Sequence, residues 1–453
     1  MTAIAERDEI TGASPHQPMW WAWYGLGVVV LASVIGSLIG KGLISLVAES
    51  MKQSLKLTDS QLGLVTGLAL TFVTALAAIP VGWLADRADR RWVLAICVLI
   101  WSAATVGFGL STTFSGLFLF AMGIAVGEAV LGPITYSIIP DLFPRDRWVV
   151  ANLIFVTATL LGTYIGMALG GTLFGYVAAN SASLPAFLAG LEPWRTTLIL
   201  AALSGPILAV LILMMRLKRI TPVPRSGERV EGVVEYFRAN ARTTAGIFFG
   251  FGLSYAAFGA QGQWNVVILQ RVFGESPAAI GQFLGVAGGV AALAGVGMAW
   301  LAVRVLTPRY GDGTAVRVAL GALIVALIVS LPIPFVTSAG QFYATILAKI
   351  CFTFMANSLA PSVLQLMAPA HMRGRVVAIG GTVNIIFLSL MPWMVGQISD
   401  ALFPGEESGI LYAMACVAIP GLLGGILFLA WGLKTLADTI ARVSGGTHHE
   451  QPA

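Results

Sequence analysis

Charge is what this sequence has least of. Its 453 residues hold 26 Lys and Arg against 21 Asp and Glu, so 10% are charged, where a soluble domain carries about 25%. So little charge cannot cover a water-facing surface, which excludes an ordinary soluble protein. Cysteine is scarce too. Cys97, Cys351 and Cys416 sit inside apolar runs without C-x-x-C spacing, which speaks against a disulfide framework and a cysteine metal site. No G-x-x-x-x-G-K-[ST] phosphate loop occurs, so ATP-driven pumping has no motor. H-E-x-x-H, paired-Asp metal motifs and G-x-S-x-G are absent as well, so no enzyme, metal or cofactor is expected. The N-terminus, "MTAIAERDEITGASPHQP", lacks the basic and apolar regions of a cleaved leader, and the first span is expected to remain as an anchor.

What the chain does have is apolar length. It is 57% hydrophobic with a mean hydropathy of +0.86, and it carries 52 Gly. Short polar clusters divide it into twelve apolar runs: 20–47, 61–85, 92–112, 114–139, 149–179, 195–216, 244–270, 277–303, 315–336, 341–367, 376–401 and 409–434. Each is long enough to cross a bilayer as a helix, which satisfies its own backbone in lipid. The expected fold is an all-α membrane protein of twelve transmembrane helices in two pseudo-symmetric six-helix bundles.

The basic residues set an orientation. One series of loops holds Arg87, Arg90 and Arg91; Arg145 and Arg147; the run from Arg216 to Arg242; Arg304 and Arg309; Arg373 and Arg375; and Lys434 and Arg442. The alternate loops hold only Lys52, Lys56, Arg195 and Arg271. By the positive-inside rule both termini are expected in the cytoplasm of a multi-pass plasma- or inner-membrane protein. The net charge of +5 is dispersed over these loops, and so implies membrane orientation and no nucleic-acid partner. The expected organisation is a tail over 1–19, a bundle over 20–216, a cytoplasmic linker over 217–243 with a short surface helix near 229–240, a second bundle over 244–434, and a tail over 435–453. An internal repeat supports two halves: "GWLAD-R" at 82–87 matches "AWLAV-R" at 299–304, and Gly63 and Gly67 match Gly281 and Gly285. Parallel repeats of this kind are a transporter signature.

"GWLADRADRR" at 82–91 gathers five charges directly after an apolar run. Gly82, Leu84, Ala85, Asp86, Arg87, Arg90, Arg91 and Leu94 fit the pattern GxLaDrxGrkxxl, with Asp89 in place of its second Gly. This loop resembles the signature of the major facilitator superfamily. The resemblance implies alternating access and a gate at the cytoplasmic end, for which Gly82 would allow close helix approach and Asp86 would face a helix N-terminus of the other half. Arg87, Arg90, Arg91, Asp141, Arg145, Arg147, Arg373 and Arg375 are the other expected gate residues. "LKLTDSQLGLVTG" (55–67), "GEA" (127–129), "PDLFPRDRW" (140–148), "WNVVILQRVFGESPAAIGQFLG" (264–285) and "VGQISD" (395–400) are similar to the spinster-like branch. Its members export lysophospholipids, sphingosine phosphate and related amphiphiles. The branch usually carries an Asp-Arg pair in span one, where this chain has Gly40-Lys41, and an Arg where it has Ala121.

Charge at membrane depth is costly, about 3 kcal/mol by insertion scales, and marks function. Lys41, Glu128 and Lys349 lie at depth in spans one, four and ten, which together with span seven line the cavity in the superfamily architecture. Span seven adds Gln261, Gln263, Trp264 and Asn265. These seven residues are the expected substrate contacts, with Phe258, Phe354 and Met355 suited to an apolar tail. Glu128 is the expected proton-coupling group. Two cations against one anion favour an anionic amphiphile or lysolipid as substrate of a monomeric secondary transporter. A facilitator, a multidrug-type efflux carrier, a scramblase and a non-transporting sensor stay open as alternatives. The glycines of span five, Gly162, Gly166 and Gly170, are expected to serve tight packing where the rocking halves slide.

Overall fold

The computed structural model describes residues 18–185, 188, 190–217, 232–369 and 372–445. Residues 1–17 and 446–453 of the tails, the linker over 218–231 and the side chains of Asp86 and Arg145 lie outside the described residues, and 435–445, expected in the tail, continue the last helix. Eleven described stretches are long and apolar enough to cross a membrane. One of them, Pro277–Phe335, is 59 residues long. At 1.5 Å per residue a continuous helix of that length would reach about 88 Å, against a hydrocarbon core of about 30 Å. It is two helices, because Gly311 takes φ +60° and ends the first. The fold is therefore the expected one of twelve helices.

We number the spanning helices α1 (Met19–Leu55), α2 (Asp59–Ala85), α3 (Arg90–Leu110), α4 (Phe114–Leu142), α5 (Trp148–Ala179), α6 (Pro193–Leu213), α7 (Ala241–Arg271), α8 (277–310), α9 (Thr314–Ser330), α10 (Ala339–Leu366), α11 (Arg373–Leu402) and α12 (Gly409–Gly445). A short helix, Val233–Ala239, precedes α7 within the segment where a surface helix was expected. Local chemistry sets several ends. Thr58 and Gln61 close a capping box on α2, and Thr113, Ser276 and Ser338 cap α4, α8 and α10. We call the end of the molecule carrying Leu217 and Val233 the linker end and the opposite one the far end.

Within the first bundle, Gly162, Gly166 and Gly170 of α5 face Val34, Leu38 and Leu43 of α1. That face holds a neighbour in its own bundle, which corrects the expectation that the halves slide on it. The surface of α5 that meets the other bundle is one residue round. There Gly171 lies against Gly281, and Ala168 against Gly285, both of α8. The matching contact is α2 with α11. A Cβ on Gly63 would meet the carbonyl of Pro392, and one on Gly67 the carbonyl of Ser389. Glycine is required at these positions because backbone touches backbone. Both α2 and α8 pass these contacts in π-helical turns, Leu64–Phe72 and Leu284–Gly288. The repeat pairs Gly63/Gly67 and Gly281/Gly285 thus occupy equivalent places in two pseudo-symmetric seams.

Candidate functional site

Helices α1, α4, α7 and α10 all lose regular winding inside the membrane, and each does so at a polar side chain. In α1 a π-helical turn, Leu38–Leu43, carries Lys41. In α4 the helix Phe114–Glu128 stops at the carboxylate and resumes at Leu131. In α7 the break falls at Gln263. In α10 it follows Asn357. Discontinuous helices free backbone groups for a ligand, and they persist at membrane depth only where protein or a polar cavity receives them.

Lys41 and Glu128 sit at the same depth, each about 21 Å from the far end of its helix at 1.5 Å per residue. The Glu128 carboxylate rests on the π-helical turn of α1. A Cβ on Gly40 would collide with Oε1 and lie 2.9 Å from Oε2. Gly36 lies beside the same carboxyl. Oε1 is buried without a hydrogen-bond partner among the described residues, and Lys41 follows Gly40 on the same turn of α1. Lys41 itself is exposed. On α7, Gln263 reaches across the bundles: its Oε1 accepts from Ser45 Oγ of α1 at 3.2 Å, while its Nε2 is buried without a partner. Gln261 Nε2 and Asn265 Oδ1 are likewise buried and unpartnered.

Two expected contacts fall elsewhere. Trp264 is fully buried, and its indole N–H donates to the carbonyl of Pro392 at 3.0 Å. That side chain is committed to packing α7 on α11. Lys349 is 1% exposed and shares a buried stripe with Phe342, Ile346, Thr353 and Ala356. Phe354, which meets Tyr164 of the other bundle and Phe258, lies roughly 140° round the helix from Lys349. Lys349 points into its own bundle, and its Nζ has no partner among the described residues. Sequence reasoning passed over Asn357, whose Oδ1 accepts from Ser254 Oγ at 2.8 Å, and Asn384 of α11, whose Oδ1 is buried and unpartnered. Both are amides in apolar helices, a signal as visible as Asn265.

The far end holds what the sequence reading missed most. Arg271, at the end of α7, lies 2.8 Å from Glu49 of α1 and 2.8 Å from Asp59 of α2. Lys52 adds a second pair to Asp59 at 2.6 Å, and Ser399 of α11 donates to Asp59 Oδ2 at 2.8 Å. Asp400 of α11 accepts the backbone N–H groups of Asp59 at 3.1 Å and Ser60 at 2.8 Å, and also the Ser60 hydroxyl. A carboxylate of one bundle therefore caps the first turn of a helix of the other, where the helix dipole favours negative charge. Gln270 closes the edge by donating to the carbonyl of Leu46 at 2.8 Å. Counting only cations by loop hid this network, because its organising groups are carboxylates at helix ends. Arg195, read as a loop charge, is 7% exposed and donates to the carbonyls of Gly109 and Ser111 at 2.9 and 2.6 Å. It closes the C-terminus of α3.

The expected gate residues at the linker end pair locally. Arg90 bonds Asp141 at 2.5 Å and the carbonyl of Ser137 at 2.8 Å, joining α3 to α4. Arg91 bonds Asp89 at 2.7 Å and the carbonyl of Met215. Hydrogen bonds from Arg91 hold the Asp89 carboxyl below its ordinary value. Arg87 stacks on Trp83, Arg147 lies 3.9 Å from Asp146, and Arg373 donates to the carbonyl of Ala368. Arg375 is half-buried. Gly82 does not serve close approach here: a Cβ there would sit 3.9 Å from Pro133, in ordinary contact.

The family model of the major facilitator superfamily matches residues 29–392. The chain belongs to that superfamily. Among its relatives, an MFS-type efflux pump of Mycolicibacterium smegmatis is 26% identical over 92% of this chain and 94% of its own. Protein spinster homolog 1 of Xenopus tropicalis is 26% identical over 85% and 76%. The sphingosine-1-phosphate transporter SPNS2 of Mus musculus is 24% identical over 79% and 68%. A crystal structure of a bacterial homolog of the human lysosomal transporter spinster, inward-facing and unoccupied, has the same fold: TM-score 0.74, 21% identity, covering 93% of this chain and 98% of that one. The expected spinster-like resemblance holds, and this major facilitator protein is a multi-pass membrane transporter rather than an enzyme.

Proposed function

We propose that this transporter carries an amphiphilic molecule with an anionic head by alternating access, with Lys41 and Glu128 at the head-group site and Gln261, Gln263 and Asn265 facing them from α7. The observation that carries this reading is the seating of Glu128 on the broken turn of α1 that carries Lys41, with Oε1 free of a hydrogen-bond partner among the described residues. Lys349 and Trp264 stay outside the head-group site, and the half-buried Phe258 and Phe354 receive the tail. Glu128 is the coupling group: with Gly40 and Ala121 where spinster-like proteins usually carry an acid and an Arg, it is the member of that set that remains. The loop-charge asymmetry supports a cytoplasmic side for the linker end, both tails and the linker over 217–243. The halves 20–216 and 244–434 then rock against each other, with the far-end network closing one side of the path. The transporter works as a monomer, with Asp86, Arg145 and Arg375 as members of the cytoplasmic gate.

Thermal unfolding of the purified protein tests the site. Sphingosine-1-phosphate, a neutral lysolipid and a cationic amphiphile serve as probes, with Lys41→Ala and Glu128→Gln beside the wild type. A ligand at about 100 times its Kd stabilises by about 2.7 kcal/mol. The expected outcome is stabilisation by the phosphate amphiphile alone, lost in Lys41→Ala. A second reading has one observation in its favour: an unpartnered buried carboxylate also suits a cation, as in a multidrug-type efflux carrier. Stabilisation by the cationic probe, lost in Glu128→Gln, would replace the first reading with this one.

A further inference from the structure

The two loops related by the internal repeat have diverged in chemistry. At the α2–α3 turn the arginines have carboxylate partners, Arg90 with Asp141 and Arg91 with Asp89. At the α8–α9 turn Val303 replaces the acid, and Asp312 is the single carboxylate between Arg304 and Arg317. Among the described residues none of Arg304, Arg309 and Arg317 is in an ion pair. All three are exposed. They are held by rings instead. Arg309 and Arg317 both stack on Tyr310, at 5.6 and 5.3 Å from its centroid, and Arg304 stacks on Trp300 at 5.3 Å.

The turn is built for this arrangement. Gly311, at φ +60°, stops α8 so that α9 can start at Thr314. A Cβ on Gly313 would strike the guanidinium of Arg317. The missing side chain is the space that lets Arg317 fold back, where its Nη1 donates to the carbonyl of Tyr310 at 3.2 Å. Just above, Trp300, Leu301 and Val305 are exposed to 62%, 54% and 64%. They form an apolar band on a membrane-crossing helix, so the arginines lie at its water-facing edge. Stacking engages the face of a guanidinium rather than its edge, and beyond the one Nη1 contact of Arg317 the edge N–H groups fit phosphate oxygens in pairs.

We propose that the α8–α9 turn binds the phosphate of an anionic phospholipid headgroup between Arg309 and Arg317 on Tyr310, with the acyl chains along Trp300, Leu301 and Val305. Phosphate recognition alone would fit a free anion equally well. The apolar band beside the arginines commits the site to the lipid. The proposal does not depend on what the protein transports.

The test uses the purified full-length protein in neutral detergent and native mass spectrometry of retained lipid. Phosphatidylglycerol, phosphatidylcholine with the same chains, and inorganic phosphate are the probes. Near a membrane surface each Arg is worth about a fivefold preference for anionic lipid. Wild-type protein should therefore retain phosphatidylglycerol over phosphatidylcholine by on the order of tenfold or more. Arg309→Ala with Arg317→Ala should remove that preference, and Tyr310→Leu should reduce it with both charges in place. If the double alanine variant does not fold, Arg309→Gln with Arg317→Gln, closer in size, reads the same quantity. An unchanged preference in the double variant overturns the site. Displacement of phosphatidylglycerol by millimolar phosphate overturns the lipid and leaves a free-anion site.

Discussion

The α2–α11 and α5–α8 seams hold the two bundles together with the same backbone device and different side-chain chemistry. In both, a glycine just before a π-helical turn and one on it bring one helix backbone onto another: Gly63 and Gly67 onto Pro392 and Ser389, Gly281 and Gly285 onto Met167 and Ala168. At the far end of the first seam the contact continues into Asp59, Ser60, Ser399 and Asp400, with Arg271 and Glu49 alongside. At the far end of the second, Gly171 and Gly175 lie against Pro277 and Ala278. Packing is non-directional and tolerates sliding. Charge-assisted hydrogen bonds are directional and either made or broken. The difference assigns holding to one seam and allows motion at the other.

The largest break should come from Arg271→Met. It leaves Glu49 and Asp59 buried without their shared cation, and removing one partner of a buried pair costs about 3–5 kcal/mol. Labelling of a cysteine placed at Ser45 should rise sharply from the far side. Unchanged labelling would remove the network from the gate. Next come Gly63→Leu and Gly281→Leu, each pressing a side chain into a facing carbonyl at about 1–3 kcal/mol. Equal losses of melting temperature sharpen the comparison, because they measure the shared device. A loss in one variant only would show that the seams are not equivalent in packing.

Asp400→Asn keeps the shape and removes the charge at the start of α2, for about 0.5–2 kcal/mol. It should ease opening at the far end without disturbing α5–α8. Labelling at both seams checks this, and equal effects at the two would contradict the division. The smallest effect belongs to Asp89 with Arg91, away from either seam. The native carboxyl titrates below its ordinary range. Its contribution is therefore present above about pH 4, the unfolded value, and fades as pH falls through the native one. Both groups are substantially exposed, at 41% and 32%, and screening keeps the pair near the bottom of the surface range, about 0–1 kcal/mol. Asp89→Asn should leave labelling at both seams unchanged, and a change would extend the network to the linker end.

The twelve helices were legible because each must be apolar over its whole length, a requirement no tertiary contact can waive. The repeat was legible for a related reason: Gly63/Gly67 and Gly281/Gly285 cannot drift where two backbones meet. Glu128 and Lys41 stood out because charge in apolar sequence is rare. The facing of a residue was not legible. Lys349 has the same composition signal as Lys41, yet a rotation about the helix turns it into its own bundle. Nor was the far-end network, whose partners across the two bundles are more than 200 residues apart. Spacing along the chain carries no trace of a bond between Arg271 and Asp59. The breaks in α1, α4, α7 and α10 escaped because an interrupted turn and a regular one use the same apolar alphabet.

Because the carboxyl of Glu128 occupies the volume where a side chain at position 40 would stand, the two positions form a single hereditary unit. A variant that enlarges Gly40 should copy the phenotype of losing Glu128. Selection for revertants of Gly40→Ser should return shorter residues at 128 rather than changes elsewhere. In such a lineage an acid could migrate from one helix to the other, through a neutral intermediate, without the pair ever holding two at once.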